Sequence, residues 1–171
     1  MDTIRKGAVV WGGNPADLEG PELKAGQHAP DFTLTGNDMK PVTLKDTNGK
    51  VRIVATVPSL DTAVCDTETR RFNVEAATLG AVEILTVSVD LPMAQKRWCG
   101  AAGVDKVRTL SDYKTRAFGK AWGVFQPDRA LLARATFVLD KDGVIRHAEY
   151  CKSPGDQPDY DAVIAAAKSL L

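Results

Sequence analysis

Apolar residues along this chain fall into short β-branched runs divided by polar turns, and the runs alternate with stretches of helical spacing. Val51-Arg52-Ile53-Val54-Ala55-Thr56-Val57 reads as a buried strand. Pro58, which cannot donate to a ladder, ends it. Asp61 or Thr62 can then cap a helix whose apolar face continues at Phe72, Ala76 and Leu79. Ala81 to Asp90 is almost continuously apolar, the pattern of a central strand covered on both faces. Leu91-Pro92 opens a second helix, which carries Arg97-Trp98-Cys99 up to Gly100. Val107 to Ser111 is a short strand, and Thr115 to Trp122 a helix closed by Gly123. Ala133 to Leu139 and Val144 to Tyr150 are strands joined through Asp140-Lys141-Asp142-Gly143, a hairpin signal. Asp159 to Leu171, entered through Pro158, is a terminal amphipathic helix. Upstream, Val9-Val10-Trp11 and the residues after Gly12-Gly13-Asn14-Pro15 form a hairpin, and Ala29 to Leu34 and Val42 to Leu44 are short strands.

This order of elements predicts an α/β protein with a mixed central sheet flanked by helices and an N-terminal β-hairpin, the succession of a thioredoxin-like fold. A length of 171 residues with no repeat, linker or low-complexity tract fits a single domain over residues 1–171. The 22 basic residues balance the 22 acidic ones, so no charged field advertises nucleic acid or anionic lipid as a partner. Apolar runs stay short of membrane-spanning length, and the N-terminus lacks the apolar core of a secretion signal. The expected location is cytoplasmic, where thiols are kept reduced and three cysteines do not make a structural disulfide framework.

Cys65 falls in the first turn of a helix that begins at the end of a core strand. Free N–H groups and the positive end of the helix dipole converge there and favour a thiolate over a thiol. The alternative is a small buried hydrophobe. Thr62, three residues earlier, can cap the helix, point its hydroxyl at the sulfur, or do both. Arg134 interrupts an apolar segment, where a guanidinium needs an ionised partner. A carboxylate or the Cys65 thiolate can supply it, and strand pattern alone favours the carboxylate. Cys99 lies on a different element from Cys65, which excludes a CxxC pair. It either reacts with an oxidised Cys65 or packs beside Trp98. Cys151 has no helix start or cation arrangement near it and is taken as a bystander. His28 and His147 sit in no recognisable motif, and GxSxG, Walker and GxGxxG signatures are missing.

Pro58-x-x-x-Thr62-x-x-Cys65, with Ala29-Pro30-Asp31-Phe32 upstream and Arg134 downstream, resembles the peroxiredoxin family. The segment Leu91 to Gly100, Leu132-Ala133-Arg134-Ala135 and Pro158-Asp159-Tyr160 are similar to the atypical two-cysteine subgroup, the bacterial thiol peroxidases. The resemblance implies a peroxidatic Cys65, a resolving Cys99, a shielding Pro58, and Thr62 and Arg134 to hold and polarise a peroxide. It further implies hydrogen peroxide and organic hydroperoxides as substrates, thioredoxin as reductant and a homodimer, with no metal, haem or flavin. A disulfide needs Cα atoms within about 7 Å, so cysteines on two helices imply local unwinding on oxidation. A reading of another class uses the same oxidation in a redox sensor or holdase-type binding protein.

Overall fold

A computed structural model describes residues 3–171. In chain order the strands are β1 (Ile4–Trp11), β2 (Asn14–Glu19), β3 (Thr33–Thr35), β4 (Pro41–Thr43), β5 (Val51–Thr56), β6 (Val82–Ser88), β7 (Val107–Ser111), β8 (Phe125–Gln126), β9 (Leu131–Leu132), β10 (Ala135–Leu139) and β11 (Ile145–Tyr150). The helices are α1 (Ala63–Leu79), α2 (Pro92–Ala102), α3 (Ala117–Ala121) and α4 (Tyr160–Lys168), with a 3₁₀ turn at Leu44–Thr47. The main sheet has the order β11-β10-β5-β6-β7-β3-β4. Its β5, β6 and β7 run parallel, and β10 and β11 add antiparallel to β5. A second sheet, β1-β2-β8-β9, carries the N-terminal hairpin.

Strand alternation divides the core into two layers. Val54, Leu85, Val87, Phe137 and Leu139 pack with Phe118 and Trp122 of the α3 region. Their neighbours Ile53, Ala55, Ile84 and Val138 face the other way, onto Phe72 and Leu79 of α1 and Val163 and Ala167 of α4. Every residue of β5 is buried, which explains its lack of polar alternation. This is the α/β, thioredoxin-like arrangement with an N-terminal hairpin that the element order implies.

The structure corrects several boundaries. α2 continues through Gly100 and stops at Gly103, whose left-handed φ of 67° and ψ of 28° make it the helix terminator. The cost of glycine in a helix interior, about 1 kcal/mol, is small enough for packing to override. The helix expected over Thr115 to Trp122 is the five-residue α3. Gly123 does follow it with φ +65°, and a Cβ there would lie 1.8 Å from the Pro21 carbonyl oxygen. Phe32 lies outside β3, and the pair β8 and β9 escaped a pattern-based reading because each has two residues. Arg134 is not inside a strand. Ala133 and Arg134 link β9 to β10, so the chain changes sheets there and frees the guanidinium to turn away from the ladder.

Candidate active site

The carboxyl ends of parallel strands are where α/β sheets hold their sites, and β5 and β6 deliver two loops to that edge. Val57 donates to the Val87 carbonyl at 3.0 Å, after which Pro58 halts the pairing. The turn from Pro58 to Thr62 then feeds α1, with Thr62 in extended conformation at the N-cap (φ −118°, ψ 148°). Cys65 is therefore the third helical residue. The Thr62 side chain does not cap the helix; its hydroxyl donates instead to the Ser59 carbonyl at 3.0 Å. The expectation of a capping Thr62 is thus corrected, because a nearer carbonyl takes its proton. Its oxygen keeps lone pairs with which to accept.

Cys65 is fully buried in a cluster with Val57 and Leu60, and Trp98 packs against that cluster. Arg134 Nη2 donates to the Cys65 sulfur at 3.2 Å, a contact from a cationic donor. The same guanidinium bonds Glu68 Oε2 through Nη1 and the Pro154 carbonyl through Nη2 at 2.8 Å. The two partners weighed from sequence are both present. Burial works against the charge on Arg134, but Glu68 and Cys65 outweigh it and hold the guanidinium above its ordinary pKa. Thr56 fixes the approach of this segment, its hydroxyl donating to the Ala133 carbonyl at 2.7 Å.

Glu68 is the site residue that sequence reasoning missed. It lies one turn after Cys65 and is fully buried, next to the buried Thr69 and ahead of Phe72. Only its burial in the folded helix sets it apart from the other acids of α1. Burial pushes it up to about 7 even with Arg134 beside it, and Glu149 adds to the rise.

Cys99 stands apart from this cluster. It is half-buried on α2, its sulfur 3.5 Å from Thr109 Oγ1, and it lines a surface groove with Asn37 and Val104. Its neighbour Trp98 packs on the cluster of Val57, Leu60 and Cys65 and donates to Asp66 Oδ1 at 3.0 Å. Consecutive helical residues point about 100° apart, so α2 shows the indole, not the thiol, to Cys65. All three cysteines are free. The Cys151 N–H donates to the Arg134 carbonyl at 3.0 Å, and burial, then Glu149 and Glu68, push its thiol up to about 12. No group of metal-ligating side chains assembles among the described residues.

The redoxin family profile matches residues 24–164. The chain belongs to the redoxin family. Among its redoxin relatives, the thiol peroxidase of Halalkalibacterium halodurans is 51% identical, covering 96% of this chain and 99% of the relative. The thiol peroxidase of Bacillus subtilis is 50% identical over 95% and 98%. A redoxin of known structure, a peroxiredoxin-like protein from Aquifex aeolicus, superposes with a TM-score of 0.90 at 36% identity, covering 99% of each chain. No helix among the described residues is long and apolar enough to cross a membrane.

Proposed function

We propose that this redoxin is a thiol-dependent peroxidase in which Cys65 is oxidised by hydroperoxides and Cys99 resolves it. The observation that carries the reading is the Arg134 contact at 3.2 Å on a fully buried Cys65 sulfur at a helix start. The thiolate attacks one peroxide oxygen, the O–O bond breaks, and the sulfur becomes a sulfenic acid. The other oxygen leaves with the bonding pair and takes a proton, departing as water or an alcohol. Arg134 offers charge to that leaving oxygen, and the first N–H groups of α1, left free by the Thr62 side chain, are further donors. Because the Thr62 hydroxyl donates to Ser59, its oxygen would accept the peroxide O–H and orient the substrate. Pro58, buried in the turn, would shield the intermediate from water.

The Cys99 thiol then condenses with the sulfenic acid, forming the S–S bond and releasing water. Reduction by thioredoxin, through exchange at that disulfide, closes the cycle. Exposure supports entry at Cys99, which lines a surface groove, over the buried Cys65. A homodimer is part of the same reading.

Steady-state consumption of cumene hydroperoxide with thioredoxin, its reductase and NADPH tests it. Sustained turnover is expected. Cys65→Ser should abolish reaction, and Cys99→Ser should permit one oxidation and then stop. One stoichiometric oxidation of the native protein, followed by a stall, would point to a sensor instead.

A further inference from the structure

Cys65 and Cys99 sit on helices entered by two different loops, and one carboxylate ties those loops together. Asp90 follows β6 and precedes Leu91, the N-cap of α2. One of its oxygens accepts from the Ser59 hydroxyl at 2.7 Å, and the other from the Leu60 N–H at 2.8 Å. The Ser88 hydroxyl also donates to that second oxygen, at 2.7 Å. Ser59 passes the constraint on. Its Oγ accepts from the Asp61 N–H at 3.1 Å, and its carbonyl receives both the N–H and the hydroxyl of Thr62, at 3.3 and 3.0 Å. On the other side, Ser88 Oγ accepts from Gln95 Nε2 at 2.9 Å, a buried side chain of α2 that also donates to the Leu110 carbonyl at 2.9 Å. The Ser111 hydroxyl secures the Asp90 carbonyl.

We propose that Asp90 is a positioning residue for both halves of the cycle, holding the Pro58–Thr62 turn in its peroxide-reactive shape and the entry of α2 closed. This rests on the reading that Cys65 is oxidised and Cys99 resolves it. The two loops approach the site from separate strands, and the carboxylate spans them by direct hydrogen bonds on the turn side and through Ser88 and Gln95 on the helix side. The bonds from Ser59 and Leu60 set where the Thr62 oxygen stands, and so favour the first step. The bonds from Ser88 and Gln95 hold α2 in the orientation that presents Trp98, and so oppose the second. Removing the carboxylate therefore shifts the two steps in opposite directions, whereas a general loosening of the fold has no reason to do so.

Stopped-flow mixing of the full chain with hydrogen peroxide separates the steps. The peroxide-dependent phase reports oxidation, and a later phase independent of peroxide concentration reports disulfide formation. Asp90→Asn should slow the first about tenfold, the equivalent of one charge-assisted hydrogen bond, and speed the second several-fold. Ser59→Ala should slow the first phase alone, and Gln95→Ala should speed the second alone. These two variants keep the proposal testable if Asp90→Asn folds poorly. Both phases unchanged, both slowed, or the same response from Ser59→Ala and Gln95→Ala would overturn it. Failure of the underlying reading is separate: native protein would then form no Cys65–Cys99 bond at all.

Discussion

At the scale of single residues, the site is a buried cluster in which Glu68 and Cys65 share the Arg134 guanidinium. Glu68 titrates near 7, against an ordinary 4.5, because burial disfavours its anion. The folded protein therefore holds a proton there that the unfolded chain has released. Its contribution to stability is complete below about pH 4.5 and is lost as pH rises through about 7. Native protein should lose stability relative to Glu68→Gln across that interval, measured by urea denaturation at pH 5 and pH 7.5. A constant difference between the two proteins would contradict the assignment. Cys65 and Arg134 were legible as oddities, a cysteine at a helix start and a guanidinium in an apolar run. Glu68 was not, because nothing in the order of residues separates a buried acid on α1 from the solvated ones around it.

At the scale of elements, the proposed cycle requires α2 to change before Cys99 can meet Cys65, since Trp98 packs on the cluster of Val57, Leu60 and Cys65. Several contacts hold it there. Trp98 donates to Asp66, Arg70 lies 5.7 Å from the indole centroid, and Arg70 Nη1 reaches the Ala102 carbonyl at 3.1 Å. Three local contacts of this kind can be released by the local unwinding that the proposed cycle requires. Oxidation by one equivalent of peroxide should shift tryptophan emission and lower hydrogen-exchange protection in α2. Cys99→Ser should show neither change after its first oxidation. Unchanged emission and exchange in the native protein would contradict the unwinding. The helix itself was visible from Pro92 and its spacing, but its end was misplaced at Gly100. A glycine without a left-handed φ is no terminator, and that conformation belongs to Gly103.

At the scale of the whole molecule, the sheet acts as a rigid partition whose parallel edge presents both loops. Its layer against α1 and α4 and its layer against the α3 region follow from strand alternation, which is why the architecture could be derived from hydrophobic pattern. The strands β8 and β9 have two residues each, too few to show a pattern, and the pairing of β8 with β2 and the change of sheet at Arg134 are long-range features that local pattern does not encode. Phe137 anchors one layer, fully buried, with its ring 5.1 Å from Trp122 and 5.4 Å from Tyr150. Phe137→Ala should cost about 3–5 kcal/mol in urea denaturation. A loss below 1 kcal/mol would mean the sheet does not depend on this packing. Cys65 should keep its reactivity with peroxide in that variant under native conditions, because Phe137 faces away from α1.

Central to the proposed chemistry is the Arg134 guanidinium, 3.2 Å from the buried Cys65 sulfur. The direct measurement is the second-order rate constant of Cys65 with hydrogen peroxide in Arg134→Gln, in a background lacking Cys99, beside the same protein with Arg134 intact. A fall of about 100-fold is expected, the usual consequence of removing one preorganised donor from a developing anion, with the fold retained by circular dichroism. A rate constant within twofold of the parent would contradict it.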